Sequence, residues 1–247
     1  MLSKVCASSA LFDESQSDND TAKVDNIEKE YGWTITGVSG TTTSMTYQKE
    51  IELVFDASSF RSNKSNAKQP SNARIDLWYI AANMELNPQP LTPEKEFFLQ
   101  SIRDHIRGLP QSQVQVKDLL VAVSSAWNKA NAASDHIRLL RVGCPTEITK
   151  TSDDSILVKS MLLIAPLTTK VEIAFHLTSR SRDSGIDVKI SPNATVLYGE
   201  RFNEPKMKEF LLNRCGDDVE EKGQITKMSW GAAVVELGEK LLARGRK

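Results

Sequence analysis

The residue types that most often carry chemistry are few in this sequence and fall into no catalytic spacing. The 247-residue chain has three histidines, His105, His136 and His176. The first two lie in segments with helical periodicity, and His176 lies on the polar side of an alternating segment. A general base or a metal ligand needs a nucleophile or further ligands close to it. We therefore expect surface or helix-pairing roles for all three histidines.

Cysteines and paired acids are equally poor candidates. Cys6, Cys144 and Cys215 are odd in number and lack Cys-x-x-Cys spacing, which argues against a disulfide framework and a structural zinc site. Asp153-Asp154 and Asp217-Asp218 lie in predicted turns without a third ligand at fixed spacing. The motifs of nucleotide-binding loops, zinc proteases and serine hydrolases do not occur. We predict no catalytic, cofactor-binding or metal-binding residues, no cofactor and no enzyme activity.

The charge balance argues against nucleic acid and membranes as partners. Thirty-one basic residues nearly cancel 32 acidic ones, and the net charge is -1. Such a chain has no overall field that attracts a phosphate backbone or an anionic lipid surface. Its longest apolar stretch, Met161 to Leu167, is too short to cross a bilayer. We expect a cytosolic or nuclear protein that contacts neither nucleic acid directly nor membrane.

The first 31 residues differ in pattern from the rest. Residues 1–21 are polar and acidic without apolar periodicity, so we predict a disordered leader. Val24, Ile27 and Tyr31 then follow helical spacing, which predicts a short amphipathic helix over residues 22–31. A helix of this length is marginal by itself in water, so we expect it to be the end of a coiled coil.

Two similar cycles of strands followed by helices fill the remaining chain. In the first cycle about four alternating segments, with a hairpin turn at Gln48-Lys49, precede a helix that starts at Thr92-Pro93-Glu94. A second helix is predicted from Gln113 to Val142, with two apolar seams.

The second cycle starts at Gly143. Its predicted strands include Ile156–Ile164, Val171–Leu177 and Ile186–Ile190. Its two predicted helices are one opened by Asn203-Glu204-Pro205 and one over Trp230–Leu241. Strands before helices predict an α+β fold, not a parallel nucleotide-binding sheet.

Trp78 is the tryptophan whose position in the pattern stands out. Ile75, Leu77 and Tyr79 alternate on one face of a predicted strand, which places Trp78 on the opposite face. If a helix covered that face, Trp78 would be buried. Left uncovered, it would mark an interaction surface.

Several stretches together are similar to one known family. They are Glu30–Ile35, Lys49–Phe55, Phe97–Gln100, Leu109–Ser112, Asp118–Leu120 and Val123–Trp127. They resemble the fungal outer-kinetochore scaffold family of the KMN network, also called the blinkin or kinetochore-null family. The resemblance runs from about Ala22 to the C-terminus and is most specific up to Trp127. It implies two tandem RWD-like domains, each an antiparallel sheet backed by helices, over residues 32–142 and 143–247 after a short coiled-coil remnant.

The resemblance also implies a function. This end of the scaffold docks on the MIND complex at the kinetochore, in the nucleus, and supports kinetochore assembly, chromosome segregation and the spindle checkpoint. Addition of a peptide to a sheet edge is a common docking mode, so we expect partner-binding residues at Ile186, Val188 and Ile190, and at Trp78. With about one heptad of coiled coil, the coiled-coil partner of the scaffold is expected to be lost.

Two alternatives remain open at this point. RWD domains resemble the ubiquitin-conjugating fold, so the chain could be an inactive relative of those enzymes. Active members carry His-Pro-Asn before the catalytic cysteine, and that tripeptide is absent here. The other alternative is a structural domain that self-associates through the two-seamed helix around Trp127.

Overall fold

The chain folds into two sheets, each accompanied by helices. The computed structural model describes residues 31–60, 73–182, 185–215 and 229–245. Within these ranges there are eight strands and four α-helices. The predicted leader over residues 1–21, and all but Tyr31 of the predicted helix over residues 22–31, lie outside the described residues.

Both sheets are four-stranded antiparallel meanders. The strands of the first sheet are β1 (Trp33–Ser39), β2 (Thr42–Tyr47), β3 (Ile51–Asp56) and β4 (Asp76–Tyr79). Those of the second are β5 (Thr146–Ser152), β6 (Ser155–Ile164), β7 (Thr169–Arg182) and β8 (Gly185–Tyr198). Strands lie in sequence order in each sheet, so β1 and β4 are the edges of the first sheet and β5 and β8 those of the second.

The four helices follow the strands in pairs. They are α1 (Pro93–Gly108), α2 (Val116–Gly143), α3 (Glu204–Cys215) and α4 (Trp230–Gly245). The predicted α+β fold of two successive sheet-and-helix cycles is confirmed, and it is consistent with tandem RWD-like domains. The predicted hairpin turn is also present, with positive φ at both Gln48 and Lys49.

Two compact units can be distinguished by their internal contacts. Among the described residues, the first comprises 31–60, 73–91, 99–128 and Gly185, and the second comprises 92–98, 129–182, 186–215 and 229–245. The division falls within α1 and within α2. The domain bounds predicted at residues 32–142 and 143–247 stay a prediction.

Strand β5 has no counterpart among the strands predicted from apolar alternation. Its sequence, Thr146–Ser152, holds a single aliphatic residue, Ile148. As an edge strand it is paired on one side only, and most of its residues are exposed or half-exposed. A strand that buries so little apolar surface leaves no alternating pattern in the sequence.

Buried tryptophans join the first sheet to the N-terminal half of α2. The ring of Trp33 is fully buried, packs 5.2 Å from the ring of Tyr47 and donates from Nε1 to the carbonyl oxygen of Leu120 at 3.2 Å. Trp127, also fully buried, donates from Nε1 to Glu50 Oε2 at 2.7 Å. Each indole thus buries a large apolar area while its polar N–H keeps a hydrogen-bond partner.

In the second unit Trp230 has the equivalent role. This first residue of α4 lies between the rings of Phe175 in β7 and His136 in α2, at centroid distances of 4.4 and 5.2 Å. The planes of Phe175 and Trp230 differ by 6°, so the rings stack face to face. Gly231 follows, and a Cβ there would lie 3.3 Å from the backbone of Leu139. The helix therefore approaches α2 closely at this point.

Replacing Trp33 by alanine is expected to destabilise the first unit strongly. Trp33→Ala empties a fully buried site and removes the indole donor to Leu120, so the free energy of unfolding should fall by about 3–5 kcal/mol. The matched control is Thr34→Ala at the next, exposed residue, expected to change stability by less than about 0.5 kcal/mol. Equilibrium urea unfolding measures both variants, and equal midpoints would contradict the role given to Trp33.

Gly199 ends β8 in a conformation that only glycine adopts readily. Its φ is +100°, and a Cβ there would lie 2.6 Å from Thr169 Cα and 2.8 Å from the carbonyl oxygen of Thr168. Gly199→Ala should therefore lower the free energy of unfolding by roughly 2 kcal/mol or more. Gly143→Ala is the control, because a Cβ there meets no atom within 4 Å and φ is not positive. Thermal unfolding in which Gly199→Ala matches Gly143→Ala would show that this turn tolerates a side chain.

Candidate functional site

The histidines occupy packing positions. His105 is buried in α1, and burial lowers its pKa, which favours the neutral ring. His136 stacks on Trp230. His176 lies in β7 opposite Leu157 of β6 and is partly exposed.

The cysteines and paired acids within the described ranges also have structural surroundings. Cys144 is buried, and burial raises the pKa of its thiol, so the reactive thiolate is disfavoured. Cys215 is buried and donates from Sγ to the carbonyl oxygen of Leu211. Asp153 is exposed and accepts from Lys150 Nζ at 2.7 Å, which lowers the pKa of its carboxyl group. Cys6 and Asp217-Asp218 lie outside the described residues.

Among residues 31–60, 73–182, 185–215 and 229–245, no cluster of three histidine, cysteine or acidic side chains could hold a metal ion. No helix in these ranges combines the length and apolar character that crossing a bilayer requires.

Trp78 is the most prominent surface feature of the first unit. Its side chain is 52% exposed, whereas Trp33, Trp127 and Trp230 are at most 1% exposed. It lies on the outer face of the first sheet, in register with Glu52 of β3. The neighbouring side chains on this face are polar, since Ser44 Oγ accepts from Thr36 and donates to Glu52. A half-exposed tryptophan beside polar groups is typical of an interaction surface.

A groove of about 560 Å³ runs beside Trp78. Residues Ala73–Trp78, which include part of β4, line one side, and Arg103, Ile106 and Arg107 of α1, with Gln111, line the other. Arg74 pairs with Asp76 at 2.8 Å on the strand side. The groove is therefore lined by both apolar side chains and guanidinium groups beside an edge strand.

Two side chains bind backbone groups of β4 and of the residues just before it. Arg103 donates from Nε and Nη2 to the carbonyl oxygen of Leu77 at 3.1 and 2.9 Å. Gln111 donates from Nε2 to the carbonyl oxygen of Ala73 at 2.6 Å and accepts from the Ala73 N–H at 3.0 Å through Oε1. In this way, some backbone N–H and carbonyl groups at the sheet edge gain hydrogen-bond partners. Without these side chains they would need water or another strand.

The other residues predicted to bind a partner lie on β8 in the second unit. Ile186 and Val188 are 9% and 6% exposed, so their side chains belong to the core, and Ile190 is partly exposed. β8 is an edge strand, and it contains Pro192, which has no amide hydrogen to donate. Trp78, by contrast, belongs to the first unit.

Sequence reasoning missed the groove and its polar residues. Arg103 and Arg107 have the i, i+4 spacing of one helix face, which is the signal that was available in the sequence. Gln111 follows Pro110 in a predicted loop and has no distinguishing pattern. Its pairing with Ala73, 38 residues away, depends on the fold.

Comparison with known protein families identifies the family to which the chain belongs. A family model described as the Knl1 RWD C-terminal domain matches residues 6–134, more than half of the chain. The match includes the first sheet, α1 and most of α2. No curated protein matched the sequence. The predicted resemblance is confirmed: the chain belongs to the Knl1 RWD C-terminal domain family, a family of non-catalytic protein-interaction modules of the kinetochore.

Proposed function

We propose that this chain docks the outer-kinetochore scaffold on the MIND complex, in the nucleus and at the kinetochore. In this role it supports kinetochore assembly, chromosome segregation and the spindle checkpoint. It acts without catalysis and without a cofactor, as two tandem RWD domains over residues 32–142 and 143–247. Family membership supports the kinetochore role, and the surface of the first unit supports docking.

The exposure of Trp78 is the observation that best supports a docking function. A tryptophan ring left 52% exposed at the edge of a sheet keeps a large apolar area in contact with water. Covering such a ring with a partner is favourable, and tryptophan is over-represented among the residues that dominate binding energy. The groove beside it supplies both shape and polar groups for a partner segment.

The β8 edge is the second candidate surface. Because Ile186 and Val188 are buried, a partner there would bind through the strand backbone and through the exposed Lys189 and partly exposed Ile190. Pro192 shortens the run of available amide donors on this strand. We therefore rank the Trp78 surface first and the β8 edge second.

The environment of the cysteines favours docking over the ubiquitin-pathway alternative. A thioester-forming cysteine must be accessible and must ionise readily. Cys144 and Cys215 are both buried, and burial raises the pKa of Cys144. Neither thiol in the described ranges is accessible, as a thioester-forming cysteine must be.

Titration calorimetry against a purified recombinant MIND complex tests the proposed function. We expect a one-to-one complex with a dissociation constant in the micromolar range or tighter, because a module that anchors a scaffold must stay bound at cellular concentrations. The absence of binding heat at roughly 50 µM of either component would overturn the proposal.

The variants Cys144→Ser and Cys215→Ser provide the matched control in the same titration. Serine is close in size to cysteine, and both thiols lie next to hydrogen-bonding groups, so binding should be unchanged. A ubiquitin thioester formed by the unchanged chain with activating enzyme and ATP, and lost in either variant, would favour the enzyme-related alternative.

A further inference from the structure

Side chains bind part of the outer edge of β4 (Asp76–Tyr79) and of the segment just before it, as a neighbouring strand would. The Gln111 amide pairs with both the N–H and the carbonyl oxygen of Ala73, at 3.0 and 2.6 Å. This two-point pairing is the one that a residue of an adjacent strand makes with its partner. Arg103 binds the carbonyl oxygen of Leu77, four residues further along the chain.

The hydrogen bonds to β3 show which backbone groups of β4 face this edge. The Ile80 N–H donates to the carbonyl oxygen of Glu50 at 2.8 Å, so residue 80 faces β3. In an antiparallel pair the direction of the amide groups alternates along the strand. Leu77 and Tyr79 therefore turn their backbone groups to the outer edge, where Arg103 already binds one of them. The edge has the geometry to pair with an extended segment.

The charge of the groove specifies the chemistry of such a segment. Its lining holds three guanidinium groups, those of Arg74, Arg103 and Arg107, and one carboxylate, that of Asp76, so three positive charges against one negative leave +2. Arg107 also pairs with Asp104 at 3.0 Å, but the two side chains are 72% and 49% exposed. Ion pairs that exposed are weak and exchange readily for a better-placed carboxylate.

The apolar side chains of the groove indicate a second property of the partner segment. Trp78 lies at its rim, and Leu77 and Ile106 extend the apolar surface inward. An aliphatic or aromatic side chain next to an acidic one would contact the tryptophan ring while the carboxylate binds the arginines. Alternating side chains of an extended segment point to opposite sides, which allows both contacts.

We propose that the β4 groove binds an extended, acidic segment of a partner protein that adds to the edge of the first sheet. Its carboxylates bind Arg103 and Arg107, and an apolar side chain covers Trp78. This inference rests on the proposed function, since it assigns the segment to a subunit of the MIND complex. The partner segment pairs with the Leu77 N–H and the backbone groups of Tyr79, which face the outer edge and are bound by neither Gln111 nor Arg103.

Titration of recombinant MIND complex into groove variants tests the assignment. Trp78→Ala and Arg107→Glu should each weaken binding about tenfold or more, because the first removes the apolar contact and the second reverses a charge that faces the carboxylates. Both side chains are exposed, so the fold should be retained. The control is Lys208→Glu, an exposed charge reversal on α3 that belongs to neither candidate surface, expected to bind within about twofold of the unchanged chain. Lys189→Glu, on β8, tests the second candidate surface in the same titration.

Fluorine NMR of the chain labelled with 5-fluorotryptophan locates the contact independently. The chain has four tryptophans, of which Trp78 alone is exposed, and Trp78→Phe assigns its signal. On addition of MIND complex the Trp78 signal should shift or broaden beyond the general broadening of the other three. Those buried signals also report that each variant is folded.

The outcomes separate this inference from the proposed function. If the unchanged chain binds MIND but the groove variants bind equally well and the Trp78 signal does not change, the groove assignment is overturned and docking stands. If Lys189→Glu alone weakens binding, the β8 edge is the site. If the unchanged chain does not bind, both the proposed function and the assignment fail.

Discussion

A four-stranded antiparallel meander has one apolar face to cover and two edge strands with backbone groups that no strand satisfies. Both sheets of this protein are built in this way. The inner face requires helices, which explains why two follow the strands in each cycle. The edges require other solutions. At the β4 edge of the first sheet, the side chains of Arg103 and Gln111 bind some of these backbone groups. The candidate docking site lies beside them.

The tryptophans show how the inner faces are covered. Trp33 and Trp127 join the first sheet to α2 through large buried rings whose N–H groups keep acceptors. Trp230 joins β7 and α2 in the second unit by stacking between Phe175 and His136. Each lies where a helix meets a sheet, so these three residues stabilise the fold. Trp78 lies on the opposite face of its sheet and is available for another purpose.

The two edges with predicted partner-binding residues differ in chemistry. At β4 an exposed tryptophan, three arginines and a strand with outward-facing backbone groups meet in one groove. At β8 the predicted residues Ile186 and Val188 contribute to the core, and Pro192 removes an amide donor. An edge that combines apolar, charged and backbone contacts can select a partner by sequence, which a backbone edge alone cannot do.

The sequence by itself determined the fold class and the family. Alternation with period two in β1 to β4 and the seams of α2 were readable because strands and helices buried on one side must repeat their apolar residues at fixed intervals. The position of Trp78 on the outer face followed from the same alternation. Strand β5 was not readable, because an edge strand that buries little surface carries little pattern.

Tertiary structure alone decided the site. Whether Trp78 is exposed depends on whether another element covers its face, and neighbouring residues in the sequence carry no information about that. The groove depends on Arg103 and Gln111 reaching the backbone of residues 26 and 38 positions earlier. Hydrogen bonds of this kind are made to carbonyl and amide groups that every residue has. They leave no signature in residue type, so only the folded chain reveals them.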